Sequence, residues 1–145
     1  SIVKLNLGGK SGPAEKTGGP LEITGKVKTI FDGEYVNKGP METGVLNHLG
    51  RSVVLDSDGI EVIITERRRQ PWDAEVFYRA GINPKEKKII ALKSTVHFKG
   101  SFGPFAKKIV TVDTPTYVTM DFESLDFKHV PRPVTPLDKD IKFTP

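Results

Sequence analysis

The sequence contains no cysteine among its 145 residues. Disulfide bonds, thiolate-ligated zinc, iron–sulfur clusters and a cysteine nucleophile are therefore excluded. The fold must depend on a hydrophobic core. The hydrophobic fraction of 37% is sufficient to build one in a single domain of this size.

Long apolar runs are absent as well, since no stretch approaches the roughly 18 consecutive apolar residues that cross a bilayer. The amino terminus lacks the basic segment, apolar segment and cleavage site of a secretory signal. We therefore expect a soluble cytoplasmic protein that does not contact membranes. Because the chain begins with Ser1 rather than Met, we also expect a processed product or a fragment.

The positive charge is not concentrated in one block. Lys and Arg together number 22 against 18 Asp and Glu, for a net charge of +4, and bases alternate with acids in segments such as 85–88. Nucleic-acid binding needs basic residues clustered on one face, so we expect no nucleic-acid partner.

Nucleotide-binding loops are missing too. The segment Gly8-Gly9-Lys10-Ser11 is similar to the end of a P-loop, but Lys4 occupies the position of the first glycine. Gly9 and Lys10 remain candidates for contact with a ligand or a neighbouring domain, because a glycine turn lets the backbone approach closely.

Glycine and proline are abundant, with 14 and 11 residues, and favour turns between strands. We predict a single domain over residues 1–145, with a glycine-rich arm at 1–20 and a proline-rich extended tail at 131–145. Alternating, β-branched segments predict strands at Ile2–Leu7, Leu21–Phe31, Ser52–Leu55 and Ile60–Thr65. The turn residues Asp56-Ser57-Asp58-Gly59 make residues 52–65 a hairpin.

The period changes after Gln70-Pro71. Asp73 is placed to cap a helix that buries Val76, Phe77 and Ala80 and ends at Gly81. Apolar runs then predict strands at Lys88–Leu92 and Ile109–Val112, with a short helix around Phe102–Lys107 between them. The fold class is therefore α+β, a mixed β-sheet with an N-terminal antiparallel hairpin part and a β-α-β-α-β part.

The segment Lys93–Lys99 follows the first of these apolar runs and contains three candidate site residues. Lys93 suits an anionic group, Ser94 a hydrogen bond, and His97 an acid, a base or a ligand. The alternative is structural, with Ser94 capping a helix and His97 bonded to the backbone. His97 is a candidate catalytic residue, although no nucleophile or partner acid lies near it in sequence.

A second candidate loop follows the strand at Ile60–Thr65. Arg67, Arg68 and Gln70 lie in Glu66-Arg67-Arg68-Arg69-Gln70-Pro71, which suits phosphate, carboxylate or an acidic protein surface. A solvated charged loop is the alternative.

Local spacing does not indicate a metal site. The three histidines, His48, His97 and His129, are far apart and form no closely spaced pair. We therefore assign no metal ligand and no cofactor to this chain.

Taken together, these segments resemble the carboxy-terminal domain of the MlrC family, the microcystinase C-like metallopeptidases. The two most telling segments are Lys93-Ser94 with His97-Phe98, and Arg68 with Gln70-Pro71. The match also runs through Leu7–Lys10, Gly39-Pro40, Leu49–Leu55, Thr65–Arg68, Asp73, Phe77, Gly81–Pro84, Val112–Pro115, Arg132-Pro133 and Pro136–Asp138. Two departures are Lys99 in place of the family's usual Arg, and Thr116 in place of Gly.

This resemblance implies a larger protein whose amino-terminal domain holds most or all of the catalytic zinc ligands. The chain would then be its second domain, with zinc bound in the full-length protein and a small peptide or amide as substrate. The candidate residues of the two loops would contact the substrate or the amino-terminal domain. A stand-alone module that binds anions or proteins, and a purely structural or homo-oligomerising domain, are the alternatives.

Overall fold

The computed structural model of the chain describes residues 1–112, 114, 121–139 and 141. The chain divides into two compact units. We name them the sheet unit, formed by Ser1–Leu7 and Leu21–Thr111, and the arm–tail unit, formed by Gly8–Pro20 and Val112–Pro145. The organisation of residues 1–145 as one domain stays a prediction. Thr116 and the last residue of the tail, Pro145, lie outside the described residues.

Strands dominate the regular structure. The strands are β1 (Ile2–Leu7), β2 (Leu21–Phe31), β3 (Glu34–Val36), β4 (Leu46–His48), β5 (Ser52–Ser57) and β6 (Ile60–Thr65). The helices are short: α1 (Ala14–Thr17), α2 (Glu75–Arg79) and α3 (Lys99–Phe102), with 3₁₀ turns at Pro84–Glu86 and Phe122–Ser124. The α+β fold class is confirmed. No helix among the described residues is both long and apolar enough to cross a membrane.

Four strands form the main sheet in the order β1-β2-β5-β6, and each neighbouring pair is antiparallel. The predicted hairpin at residues 52–65 is confirmed as β5 and β6, in which Ser57 pairs with Ile60. Asp58 and Gly59 form the two-residue turn with φ of +52° and +84°, the left-handed geometry that a tight hairpin favours.

The predicted helix after Asp73 is confirmed as α2, which packs on the main sheet. Val54 of β5 is 1% exposed and forms a buried cluster with Ala80 and Ile82, against which Phe77 packs. Gly81 follows with φ of +78°, so a glycine ends the helix as its sequence position indicates.

A second, two-stranded sheet pairs β3 with β4 across a loop at residues 37–45. Asn47 Nδ2 donates a hydrogen bond to Asn37 Oδ1 at 2.9 Å, and both side chains are buried. Behind this ribbon, Tyr35 packs with Leu49 and Val76. The ribbon therefore holds the 37–45 loop close to α2.

The predicted strands at Lys88–Leu92 and Ile109–Val112 are wrong, because these residues pair with no strand in the described part of the chain. Ile89 is 87% exposed and Val110 66% exposed, so an apolar run is not by itself enough to make a buried strand. The helix predicted around Phe102–Lys107 lies earlier, as α3. Its C-cap is Gly103, and the helix does not continue because the next residue, Pro104, has no backbone N–H to donate.

The arm–tail unit contains the helix α1, and the tail residues 131–139 form neither helix nor strand. Asp138 is the centre of local order in the tail. Its carboxylate accepts hydrogen bonds from Arg132 Nε and from the Val134 backbone N–H, both at 2.6 Å. These bonds, that of Arg132 first, lower the pKa of Asp138 to about 2.

Candidate functional site

The loop after β6 and the segment before α3 contact each other directly. Gln70 Nε2 donates a hydrogen bond of 2.8 Å to Ser94 Oγ, across 24 residues of sequence. Both side chains are partly buried, which protects this bond from competition with water. The structure therefore joins the two loops in which the sequence places its candidate residues.

Trp72 occupies the centre of this contact. The Arg69 guanidinium lies 4.5 Å from the centre of the Trp72 ring, a cation–π arrangement. His97 meets the same ring edge-on, with centroids 6.2 Å apart and planes at 80°. We name the resulting patch the Trp72 surface. It consists of Glu42, Arg69, Gln70, Trp72, Ser94 and His97.

Glu42 belongs to this surface because it forms an ion pair with Arg69. It lies in the 37–45 loop with φ of +51°, an uncommon value for a residue with a side chain. The same loop is tied to the body of the sheet unit by Asp73, whose Oδ2 accepts hydrogen bonds from the backbone N–H groups of Lys38 at 3.0 Å and Gly39 at 2.7 Å.

Asp73 thereby holds two elements together. Its other oxygen, Oδ1, accepts a hydrogen bond of 2.9 Å from the N–H of Glu75, the first residue of α2. The N-cap position is Ala74, one residue after the predicted cap, so Asp73 supports the start of the helix from the preceding position. The side chain is 1% exposed, so its charge is stabilised by these N–H groups instead of by water.

The segment that carries Ser94 and His97 is anchored on α2. Ser101 Oγ accepts a hydrogen bond of 2.9 Å from the Ala74 N–H. Phe102 is 3% exposed and meets Phe77 edge-on, with ring centres 5.8 Å apart. These contacts fix the position of the Trp72 surface relative to α2.

Tyr35 lies beneath the 37–45 loop and is 7% exposed. Burial raises the pKa of its hydroxyl, and the charges of Asp73 and Glu42 raise it further, whereas Arg69 lowers it. Tyr35 therefore stays neutral at physiological pH and serves as a packing residue.

The other predicted site residues are not members of the Trp72 surface. Lys93, Arg67 and Arg68 are exposed, and Arg69, not its two neighbours, is the arginine that stacks on Trp72. The Lys93–His97 segment is not a strand-end loop, because the strand predicted before it is absent from the structure.

Gly9 and Lys10 belong to the arm–tail unit. A Cβ atom at Gly9 would lie 1.9 Å from the carbonyl oxygen of Gly19, and Gly9 has φ of +56°. The glycine is therefore required by backbone packing within this unit, while Lys10 is exposed.

Catalytic and metal chemistry is not assembled within the described residues. His97 contacts Trp72 but forms no hydrogen bond or ion pair with a described acid or nucleophile. His48 Nδ1 lies 3.0 Å from Glu34 Oε1 on the β3–β4 ribbon. No group of three or more His, Asp or Glu side chains positioned to hold a metal occurs among the described residues, so these residues do not fit a metal centre.

Three residues of the Trp72 surface were not singled out individually from the sequence: Glu42, Arg69 and Trp72. Trp72 is the single tryptophan of the chain and lies beside three consecutive arginines, a local signal for cation–π stacking. Glu42 gives no such signal, because its pairing with Arg69 spans 27 residues.

The chain is similar to known proteins in sequence and in fold. Residues 1–129 match the family model described as MlrC C-terminus. Microcystinase C from Sphingomonas sp. is 30% identical over 108 residues, which cover 74% of this chain and 20% of that protein. A crystal structure from Mesorhizobium sp. BNC1, provisionally named a metallopeptidase, superposes with a TM-score of 0.77 and 25% identity, covering 99% of this chain and 28% of the other.

The chain thus spans about a fifth of the length of the curated relative and little more than a quarter of the solved one. The family match covers most of the chain and includes both loops of the Trp72 surface. The chain belongs to the MlrC C-terminal family.

Proposed function

We propose that this chain is the companion domain of a longer zinc-dependent hydrolase that cleaves peptide or amide bonds, and that its Trp72 surface borders the substrate cleft. The observation that carries the proposal is the Gln70–Ser94 hydrogen bond. Beside it, Arg69 lies over the Trp72 ring and His97 meets the same ring edge-on. This arrangement gathers aromatic and hydrogen-bonding groups on one surface, the groups with which proteins bind peptides.

The companion role is supported by the relatives. Microcystinase C and the solved Mesorhizobium protein are several times longer than the aligned region. The described residues of this chain do not assemble a metal centre. In the proposed protein the zinc ligands therefore lie in the amino-terminal domain, and this chain supplies binding and orientation. Cytoplasmic location and the lack of a nucleic-acid partner stay predictions.

A stand-alone anion-binding module is less well supported. Arg69 is already paired with Glu42, which neutralises the cation that stacks on Trp72. An added anion would have to displace that carboxylate. A role in homo-oligomerisation stays a prediction.

The test is alanine substitution of His97, which belongs to the Trp72 surface, and of Lys93, which lies directly before Ser94 of that surface, in the longer protein that carries this chain. Hydrolysis of a panel of short peptides is the readout. Both side chains are exposed, so their removal leaves the core intact. We expect kcat/KM to fall about 10-fold, equivalent to about 1.4 kcal/mol, while the melting temperature stays unchanged.

Two variants serve as matched controls. Lys26→Ala removes an exposed lysine from β2, and His48→Ala removes an exposed histidine from the β3–β4 ribbon. Neither residue belongs to the Trp72 surface, so both variants should keep full activity. Unchanged turnover and unchanged stability in Lys93→Ala and His97→Ala would overturn the proposed role of this surface.

A further inference from the structure

Two segments on either side of α3 have no backbone partners among the residues that the structure describes. Backbone hydrogen bonds are present up to Lys87 N–H, which bonds to Pro84, and resume with Lys99 N–H, which bonds to Val96. Between them, residues 88–95 form no backbone–backbone bond in the described part of the chain. The same holds for residues 107–111.

The side chains of both segments are those of strands. Residues 88–93 read Lys-Ile-Ile-Ala-Leu-Lys, and residues 108–111 read Lys-Ile-Val-Thr. Ile89 is 87% exposed and Val110 is 66% exposed. Free N–H and C=O groups beside exposed β-branched residues are the features by which a segment takes up another strand.

The order of elements indicates a parallel arrangement. A short helix, α3, lies between the segments, and about a dozen residues connect them, the length that a crossover between parallel strands needs. Neither segment pairs with a strand in the described residues, so any neighbouring strand comes from outside them.

Charge argues against a second copy as the occupant. Lys88 and Lys93 are the two ends of the first segment, with Lys87 before it, and the second begins at Lys108, with Lys107 before it. Two copies paired through these segments would bring lysines together, a device by which proteins prevent edge pairing. The length of the relatives favours polypeptide of the longer protein instead, since this chain spans 20% of one and 28% of the other.

We propose that residues 88–93 and 108–111 are two strands of a parallel β-sheet whose neighbouring strands belong to the companion part of the longer protein. The proposal depends on the companion role proposed above, but not on any role of the Trp72 surface in binding substrate. The sheet would continue from one domain into the other, with α3 packed on one of its faces.

Hydrogen–deuterium exchange of the 145-residue chain and of the longer protein tests this directly. We expect the amides of both segments to exchange freely in the chain alone and about 100-fold more slowly in the longer protein. Amides of β5, such as Val54 and Leu55, should be protected in both samples and serve as the internal reference. Equally fast exchange of the two segments in both samples would overturn the proposal. Protection in the chain alone that rises with concentration would overturn it as well, by identifying a second copy as the occupant.

A proline substitution provides a second test. Ala91→Pro removes an N–H that has no partner among the described residues, whereas Ala91→Ser at the same exposed position keeps it. We expect Ala91→Pro to lower the melting temperature of the longer protein and to leave that of the 145-residue chain unchanged, with Ala91→Ser neutral in both. Equal effects of Ala91→Pro in the two proteins would contradict the proposal. The two proposals can fail separately. If both segments are protected in the longer protein while its Lys93→Ala and His97→Ala variants stay fully active, the shared sheet is supported and only the cleft role of the Trp72 surface is contradicted.

Discussion

Asp73 shows how much one residue contributes to the organisation of this chain. Its carboxylate accepts hydrogen bonds from three backbone N–H groups, those of Lys38, Gly39 and Glu75. The bond to Glu75 is local and follows from the position of Asp73 before a helix. The other two join the 37–45 loop, which carries Glu42, to the start of α2. The sequence indicates the first role but not the second, because the loop is 34 or 35 residues away.

At this scale we predict that Asp73→Ala destabilises the chain by about 3 kcal/mol, because three N–H groups lose a charged acceptor in a buried place. Urea unfolding measures the loss. Asp126→Ala is the control, since Asp126 and its partner Lys128 are 76% and 69% exposed, and a change within about 0.5 kcal/mol is expected. Similar losses in both variants would show that burial of Asp73 is not the source of its contribution.

Among the elements, β2 and β6 are linked by charge as well as by the strand β5 between them. Glu61 on β6 is 12% exposed and lies between Lys28 of β2 and Lys87. Hydrogen bonds from Lys28 and then Lys87 lower the pKa of Glu61 below 4.5, although burial opposes the shift. Lys28 lies where a register shift between Val27 and Thr29 interrupts the pairing with β5.

This arrangement makes stability depend on pH. Because the pKa of Glu61 is lower in the folded chain than in the unfolded chain, its contribution is complete above about pH 5 and is lost as the pH falls through the folded pKa. We predict that Glu61→Gln lowers the free energy of unfolding at pH 7 and that the difference from the wild type shrinks as the pH falls through the lowered folded pKa of Glu61. Urea unfolding across this range checks it.

The matched control is Glu15→Gln, because Glu15 is exposed on α1. Its effect on the free energy of unfolding should be small and nearly independent of pH. A Glu61→Gln effect that stays constant from neutral to acidic pH would mean that the lysines do not stabilise the ionised carboxylate.

At the scale of the whole molecule, the exposed features indicate more about function than the buried core does. The Trp72 surface and the two unpaired segments all lie in the sheet unit, within Leu21–Thr111. The described residues assemble no metal centre, and the relatives are several times longer than the region they share with this chain. This combination is the basis of the companion role proposed above.

We therefore predict that the longer protein binds zinc tightly and that the 145-residue chain by itself does not. After incubation with zinc and dialysis, elemental analysis should find well below one equivalent on the chain and at least one on the longer protein, whose peptide hydrolysis a chelator should abolish. Tight stoichiometric zinc on the chain alone, with hydrolytic activity, would place the catalytic centre here and contradict the companion role.

The sequence by itself determined the elements whose causes are local. Period-two alternation and the Asp58-Gly59 turn specify the β5–β6 hairpin, and Asp73 with Gly81 bounds α2, because turn and capping preferences act over a few residues. The motifs around Gln70 and Ser94 were also visible as candidate loops.

Only the tertiary structure decided which of these loops contact each other and which apolar runs form strands. Gln70 meets Ser94, and Arg69 meets Glu42, across more than 20 residues, and no local preference encodes such contacts. A strand exists only when a neighbour supplies its hydrogen bonds. Residues 88–93 have the composition of a strand but no such neighbour in the described chain. This is the physical reason that the sequence pattern predicted a strand which the structure does not form.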